Sequence, residues 1–286
     1  MKKLISTLPL LVLVLSLTFF HPGCKSDEVI TPADENTDKE SISLSNISTL
    51  SKIITDASSY AIILANGTVP SGSGNCPGIG IDTSKKILQI SYPQPPGCVS
   101  TINGIRRSGE LNIGYSISST GDTIECAILF PDFRTYKSSA LGDTNLIKIN
   151  GSIYFSLKKT GTGIYSFKSH GEVFCFNQTD FIKEIYLDSL SGTVNVNSIS
   201  SINDDAYTLR GGARIKDNEF NISYNCIISA GTSLQYVSNC RFPLTGVIKI
   251  GNTNCDFSPE ASSCDAIVRL TKGATSKTID LTQINF

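Results

Sequence analysis

From Gly72 to the C-terminus the chain repeats one pattern: short runs of alternating apolar and polar residues, separated by Gly, Asn, Asp and Ser. KILQISY, GELNIGYSIS, TIECAILF, NLIKINGSIYFSL, GEVFCF, GTVNVNSIS, EFNISYNCIIS, GVIKI, DAIVRL and KTIDL are examples. Successive side chains on a strand point to opposite faces, so this alternation fits strands with one buried face. Enrichment in Ile, Val, Tyr, Phe and Thr agrees. No helical pattern of comparable length interrupts the runs, which excludes an α/β architecture. The expected fold is all-β, an antiparallel sandwich or twisted meander with one N-terminal helix. Glycine opens a strand-like run at Gly109, Gly151, Gly171, Gly192, Gly211 and Gly246. The side-chain pattern within each unit is not kept, so the rhythm reads as meander geometry and not as a solenoid repeat.

The one good helix candidate is 45–65, where Ile47, Leu50, Ile53, Ile54, Ala57, Ala61 and Leu64 fall on one face. Ser45 or Asn46 would cap its start and Asn66-Gly67 its end. Such a stripe is expected to pack on the sheet, so residues 42–70 are assigned as a helix docked on a β-domain spanning 71–286.

The N-terminus reads as an export signal over residues 1–23: Lys2 and Lys3, an apolar run from Pro9 to Phe20, then small residues ending at Gly23-Cys24. The run is too short to span a bilayer, which needs about 20 apolar residues. Cleavage before a cysteine resembles the bacterial lipoprotein pattern, in which Cys24 is lipidated. His21 and Pro22 stand where that pattern has Leu and Ala or Ser. An ordinary signal cleaved nearby would leave Cys24 a free thiol. Several acyl chains, at about 0.8 kcal/mol per buried methylene, make such an anchor effectively permanent. Residues 24–41 are then the anchor and an acidic tether too polar and aromatic-poor to order itself. Beyond the signal there are 22 basic and 25 acidic residues, a net of −3, with six acids and two lysines in Lys25–Glu40. What is left is near neutral, so nucleic acid is not an expected partner.

Setting Cys24 aside leaves eight cysteines: Cys76, Cys98, Cys126, Cys175, Cys226, Cys240, Cys255 and Cys264. An even number in an exported chain points to disulfides, and spacing alone does not fix their pairing. The chain has no Cys-x-x-Cys pair and only His170 beyond the signal, so neither a zinc site nor any other metal or cofactor is expected.

Two blocks carry a family resemblance. ILQISYPQPPGC followed by NGIRRSGELNIGYS, with Gly97, Cys98, Arg107, Ser108, Gly109 and Tyr115, resembles uncharacterised outer-membrane lipoproteins of the Bacteroidetes type. CRFPLTGVIKI, the Cys264-Asp265 pair, AIVRLTKG and TIDL form a second matching block. The similarity covers roughly 75–286, loosely in its middle third. The extra cysteines at 126, 175, 226 and 255, and PEASS before Cys264, depart from it. The opening Lys25-Ser26-Asp27-Glu28 is similar to the acidic export signal of such surface lipoproteins; a generic solvated linker is the alternative. The resemblance implies an outer-membrane location and pairing of Cys76 with Cys98 and Cys240 with Cys264. Cys126 with Cys175 and Cys226 with Cys255 are what then remains. It implies no activity.

No catalytic site emerges. A Ser-His-Asp or Cys-His site would have to use His170, whose surroundings suggest a turn or strand edge. SGSGNCPGIG lacks the Gly-Lys-Ser/Thr of a P-loop and precedes a strand. Asp132, Glu172, Asp204, Asp205 and Asp265 are scattered acids with no motif for glycoside hydrolysis. Loops at Asn203–Asp205 and Gly142–Asn145 lack EF-hand spacing and read as polar turns. Arg106-Arg107 could grip an acidic ligand from a loop, and Tyr92, Tyr115, Tyr136, Tyr154, Tyr165 and Tyr186 could stack on sugars or simply pack. The expectation is a non-enzymatic, lipid-anchored envelope protein with a binding or structural role. A glycan-capture protein or secreted hydrolase on the same scaffold is the alternative.

Overall fold

The structure, a computed structural model, describes residues 35–68, 76–99, 105–136, 146–177, 180–197, 205–218, 221–257, 264 and 266–283. Residues from Asn36 onward form one compact unit. It contains a single long helix, α1 (Glu35–Ala65), followed by strands β1 (Gly78–Asp82), β2 (Ile87–Tyr92), β3 (Cys98–Val99), β4 (Arg106–Ile117) and β5 (Thr123–Tyr136). Then come β6 (Leu146–Gly161), β7 (Ile164–Asn177), β8 (Asp180–Asn195), β9 (Ala206–Asp217) and β10 (Ile222–Ile228). The chain closes with β11 (Leu234–Val237), β12 (Val247–Ile250), β13 (Thr253–Asp256), β14 (Ile267–Lys272) and β15 (Thr275–Asp280).

All strands belong to one antiparallel sheet, ordered β1-β2-β4-β5-β6-β7-β8-β9-β10-β12-β13-β14-β15, with β3 added to β4 and β11 to β9. The fold is all-β with one N-terminal helix, and of the two expected arrangements it is the meander.

Several predicted short strands are halves of longer ones. LIKINGSIYFSL lies within β6, whose 16 residues continue through Gly151. The rhythmic glycines sit inside strands or at their margins, where neighbouring backbone crowds in. At Gly109, with φ +86°, an added Cβ would lie 1.5 Å from the Asp132 carbonyl oxygen. At Gly211, with φ +131°, it would lie 1.8 Å from that of Ser189. Only glycine fits such approaches, and they let long strands bend. Bulges cooperate. On β8 the inward residues Ile185 and Leu187 give way to Leu190 and Val194 across a register shift between Leu187 and Ser189. The shift keeps one apolar face inward despite the change of parity.

The bent sheet encloses α1. From Glu40 to Ile63 every residue except Ile42 and Thr49 is buried. Thirty-one helical residues span about 46 Å, comparable with the about 50 Å of the longest strands. The apolar side packs Leu44, Ile47, Leu50, Ile53, Ile54 and Ala57 into the same core as Ile113, Ile128, Phe155 and Ile185. Each fully buried side chain of this size contributes about 1.5–3 kcal/mol.

Two expectations change here. The helix does not present one face to the sheet; its serine-rich side is buried as well. Serine tolerates this because it is small and bonds to its own backbone, as Ser58 Oγ does to the Ile54 carbonyl at 2.8 Å. The helix also starts at Glu35, inside the stretch expected to be tether. Glu40 is buried and accepts a hydrogen bond from Thr253 Oγ1 at 2.7 Å. Composition pointed to solvent there because the partner lies more than two hundred residues away. Residues 24–34, with Cys24, lie outside the described residues.

Candidate functional site

Between Ser41 and Ala65 the helix carries only two charged residues, Lys52 and Asp56. Spacing i,i+4 stacks them on one side of the helix. Lys52 Nζ meets Asp56 Oδ1 at 2.7 Å and donates to the Ser238 carbonyl at 2.7 Å. Asp56 Oδ2 accepts from Arg107 Nη1 at 3.1 Å, and the same nitrogen donates to Tyr92 OH at 3.2 Å. Lys52 is 0 % exposed, Arg107 5 % and Asp56 8 %. Helix, β4, β2 and the loop after β11 are thereby joined through one carboxylate. Burial lowers the proton affinity of Lys52, and Asp56 opposes that shift.

One turn further on, Ser59 Oγ donates to Asp205 and shares a hydrogen bond with Tyr207 OH. Burial, and then the Asp205 charge, push the Tyr207 hydroxyl well above its ordinary value. Ser238 closes the cluster by donating its amide to the Asp205 carbonyl at 2.9 Å.

Both disulfides flank this cluster. Cys76–Cys98 holds β3 beside β4, where Cys98 lies directly opposite Arg107. Cys240–Cys264 pins the loop that carries Ser238 to the segment leading into β14. The other four cysteines are free and buried, so the expectation that all eight pair is corrected to two bridges. Topology forbids the remaining pairs. Cys126 lies opposite Phe155, and Phe155 opposite Ser169; Cys175 lies a further ~20 Å along its strand. β12 runs between Cys226 and Cys255, since Cys226 faces Ile250 and Cys255 faces Ile248. With two strand spacings across and two residues of offset along β12, their Cα atoms are ~12 Å apart, beyond the ~7 Å a disulfide spans. Burial pushes the thiols of Cys126, Cys175 and Cys226 up to about 12, so they act as small core hydrophobes.

Arg106 and Arg107 are not loop residues. They open β4 and are buried, Arg106 with its guanidinium 3.9 Å over the Tyr136 ring. The scattered acids are not brought together. Asp132 is held by Arg134 at 2.8 Å and Lys148 at 3.6 Å, Glu172 neighbours Tyr186, and Asp205 is buried with Ser59. Asp204, Asp265 and the loop at Gly142–Asn145 lie outside the described residues. His170 is exposed and stacks on Tyr154 with ring centroids 5.6 Å apart. Tyr92, Tyr136 and Tyr165 are buried packing residues. Among the described residues no group of three or more His, Cys, Asp or Glu could hold a metal. A shallow cleft of about 460 Å³ beside β9 and β11 is lined by Thr208, Thr232, Ser233, Gln235 and Thr245, without a charged or aromatic side chain.

No family model matches the chain, and neither a curated protein nor a solved structure does. Chemically, the cluster is a lock. Lys52 is fully buried, and the carboxylate it is paired with is shared with Arg107. Lys52, Asp56 and Tyr207 escaped the sequence reading, and Asp205 was read as one of several scattered acids on a polar turn. The legible signal was the isolated Lys52–Asp56 pair in a helical stretch, Ser41 to Ala65, that is otherwise uncharged.

Proposed function

We propose that this chain is a lipid-anchored protein of the outer membrane, attached through Cys24 and displayed at the cell surface, with a non-enzymatic binding or structural role. The observation that carries this reading is the enclosure and clamping of α1. The helix follows the anchor and tether in the chain and is fixed to the sheet by Lys52, Asp56 and Arg107. A membrane attachment at the chain start thus joins a rigid core and not a pendant helix. The lipobox-like Gly23-Cys24 and the two blocks similar to Bacteroidetes-type lipoproteins support the location. Metabolic labelling with a palmitate analogue is expected to mark the wild-type chain and not Cys24→Ala, which leaves the membrane fraction. An unlabelled wild type, or a Cys24→Ala protein that still carries the label, refutes the anchor.

The exposed Tyr154–His170 stack favours glycan capture as a second reading, because a flat aromatic pair suits the face of a sugar ring. On a glycan array, Tyr154→Ala is expected to abolish any specific signal of the wild type.

A further inference from the structure

Lys183 and Asp217 stand directly opposite each other on β8 and β9, at the end of that ladder. Lys183 Nζ meets Asp217 Oδ2 at 2.7 Å, and both side chains are 1 % exposed. The surroundings are apolar. Ile185 and Ile215, the next inward pair, are fully buried, and Cys175 lies opposite Lys183 on β7. Burial keeps the Cys175 thiol protonated, so this neighbour adds no charge. A nitrogen hydrogen-bonded to a carboxylate oxygen lies roughly 3–3.5 Å from the carboxyl carbon, the separation of a near-attack arrangement. A dry site penalises separated charges. Passing the proton along this hydrogen bond, to give an amine beside a carboxylic acid, therefore costs far less than in water.

Two other lysine–carboxylate pairs differ in ways that keep them ionic. Asp56 is also held by Arg107, whose guanidinium does not give up its proton, and Lys52 is fixed on the Ser238 carbonyl as well. On the outer face of the same two strands Lys216 and Glu184 are 3.8 Å apart, with Lys216 56 % exposed, so water solvates the charges.

We propose that Lys183 and Asp217 condense to an intramolecular amide, a covalent staple between β8 and β9. Lys183 Nζ attacks Cγ of Asp217; the N–C bond forms and one C–O bond breaks. Two of the three ammonium protons leave with that oxygen as water, and the third stays on the amide nitrogen. The two charges cancel, and no oxidant or other co-reactant is consumed. Fixed, oriented partners react as if at about 10⁵–10⁸ M, which is what favours amide over free ions here. The bond joins residues 34 apart in sequence. It fastens the ladder where the Asn218 amide donates to the Ile182 carbonyl at 2.9 Å, an end that would otherwise fray. This inference does not depend on lipidation at Cys24.

The test uses the full chain purified under native conditions, then denatured, reduced, alkylated and digested with trypsin. An acylated lysine is not cut. Mass spectrometry is expected to find the peptide Ser169–Arg210 joined to Asp217–Arg241, one water lighter than their sum, with fragmentation placing the join at Lys183 and Asp217. Free Ser169–Lys183 should be absent. On a reducing denaturing gel the wild type, with its loop closed, should run faster than Asp217→Ala. The gel unfolds both chains, so the comparison holds whether or not the variant folds. Release of Ser169–Lys183 and Asp217–Arg241 as separate peptides from the wild type, or equal mobility of the two chains, overturns the bond.

Discussion

Two ion-pair systems in this molecule use the same chemistry in opposite surroundings. Inside, Asp56 holds Lys52 and Arg107 with side chains 11 %, 0 % and 6 % exposed. Outside, on the far face of the sheet, Arg214 meets Asp188 at 3.2 Å with side chains 60 % and 47 % exposed. The bond lengths alone would rank them as similar. Water separates them: an exposed pair is solvated in either state and contributes about 0–1 kcal/mol. A buried charge that loses its partner has no solvent to turn to, and breaking such a pair costs about 3–5 kcal/mol. The inner pairs thus fix where the helix sits, and the outer pair decorates a strand pairing that β8 and β9 already make.

The largest test of this contrast is Asp56→Ala. It strands two buried cations, so the urea midpoint should drop by the equivalent of about 3–5 kcal/mol. A loss under about 1 kcal/mol would erase the distinction between the two systems. Alkaline pH sharpens it next. The folded thiols of Cys126, Cys175 and Cys226 titrate at about 12, against an ordinary value of 9.0. A group raised by folding stabilises below its unfolded value, and that contribution disappears as pH climbs to the folded one. Lys52 is shifted down, so its contribution grows as pH approaches 10.5. Each thiol moved from 9.0 to about 12 is worth about 4 kcal/mol, so the thiols and the buried tyrosines outweigh one lysine and the urea midpoint should collapse toward zero between pH 9 and 12. An unchanged midpoint there would show that the interior admits water. The smallest effect is expected for Arg214→Ala: under about 1 kcal/mol and weaker still in high salt. A larger, salt-insensitive loss would mean that the outer face is not solvated as its exposure indicates.

Legibility in the sequence divided along the same line. Strand periodicity is local, so the β-character and the runs around Ile87–Tyr92 and Ile267–Lys272 could be read residue by residue. The helix over 45–65 was legible from its apolar stripe, but its first turns were not, because Glu40 is ordered by Thr253 from the other end of the chain. Arg107 looked like an exposed loop residue because nothing near it in sequence announces Asp56 as its partner.

By itself, then, the sequence determined the all-β class and the single helix. Each follows from spacing or composition along the chain, and short-range sterics and burial preference act at that range. Tertiary structure alone decided that the sheet wraps the helix, that Cys126 and Cys175 stay apart, and that Lys52, Asp56 and Arg107 converge. Those outcomes depend on where bulges and crowded glycines bend long strands, and on which distant residues the bend brings within hydrogen-bond reach.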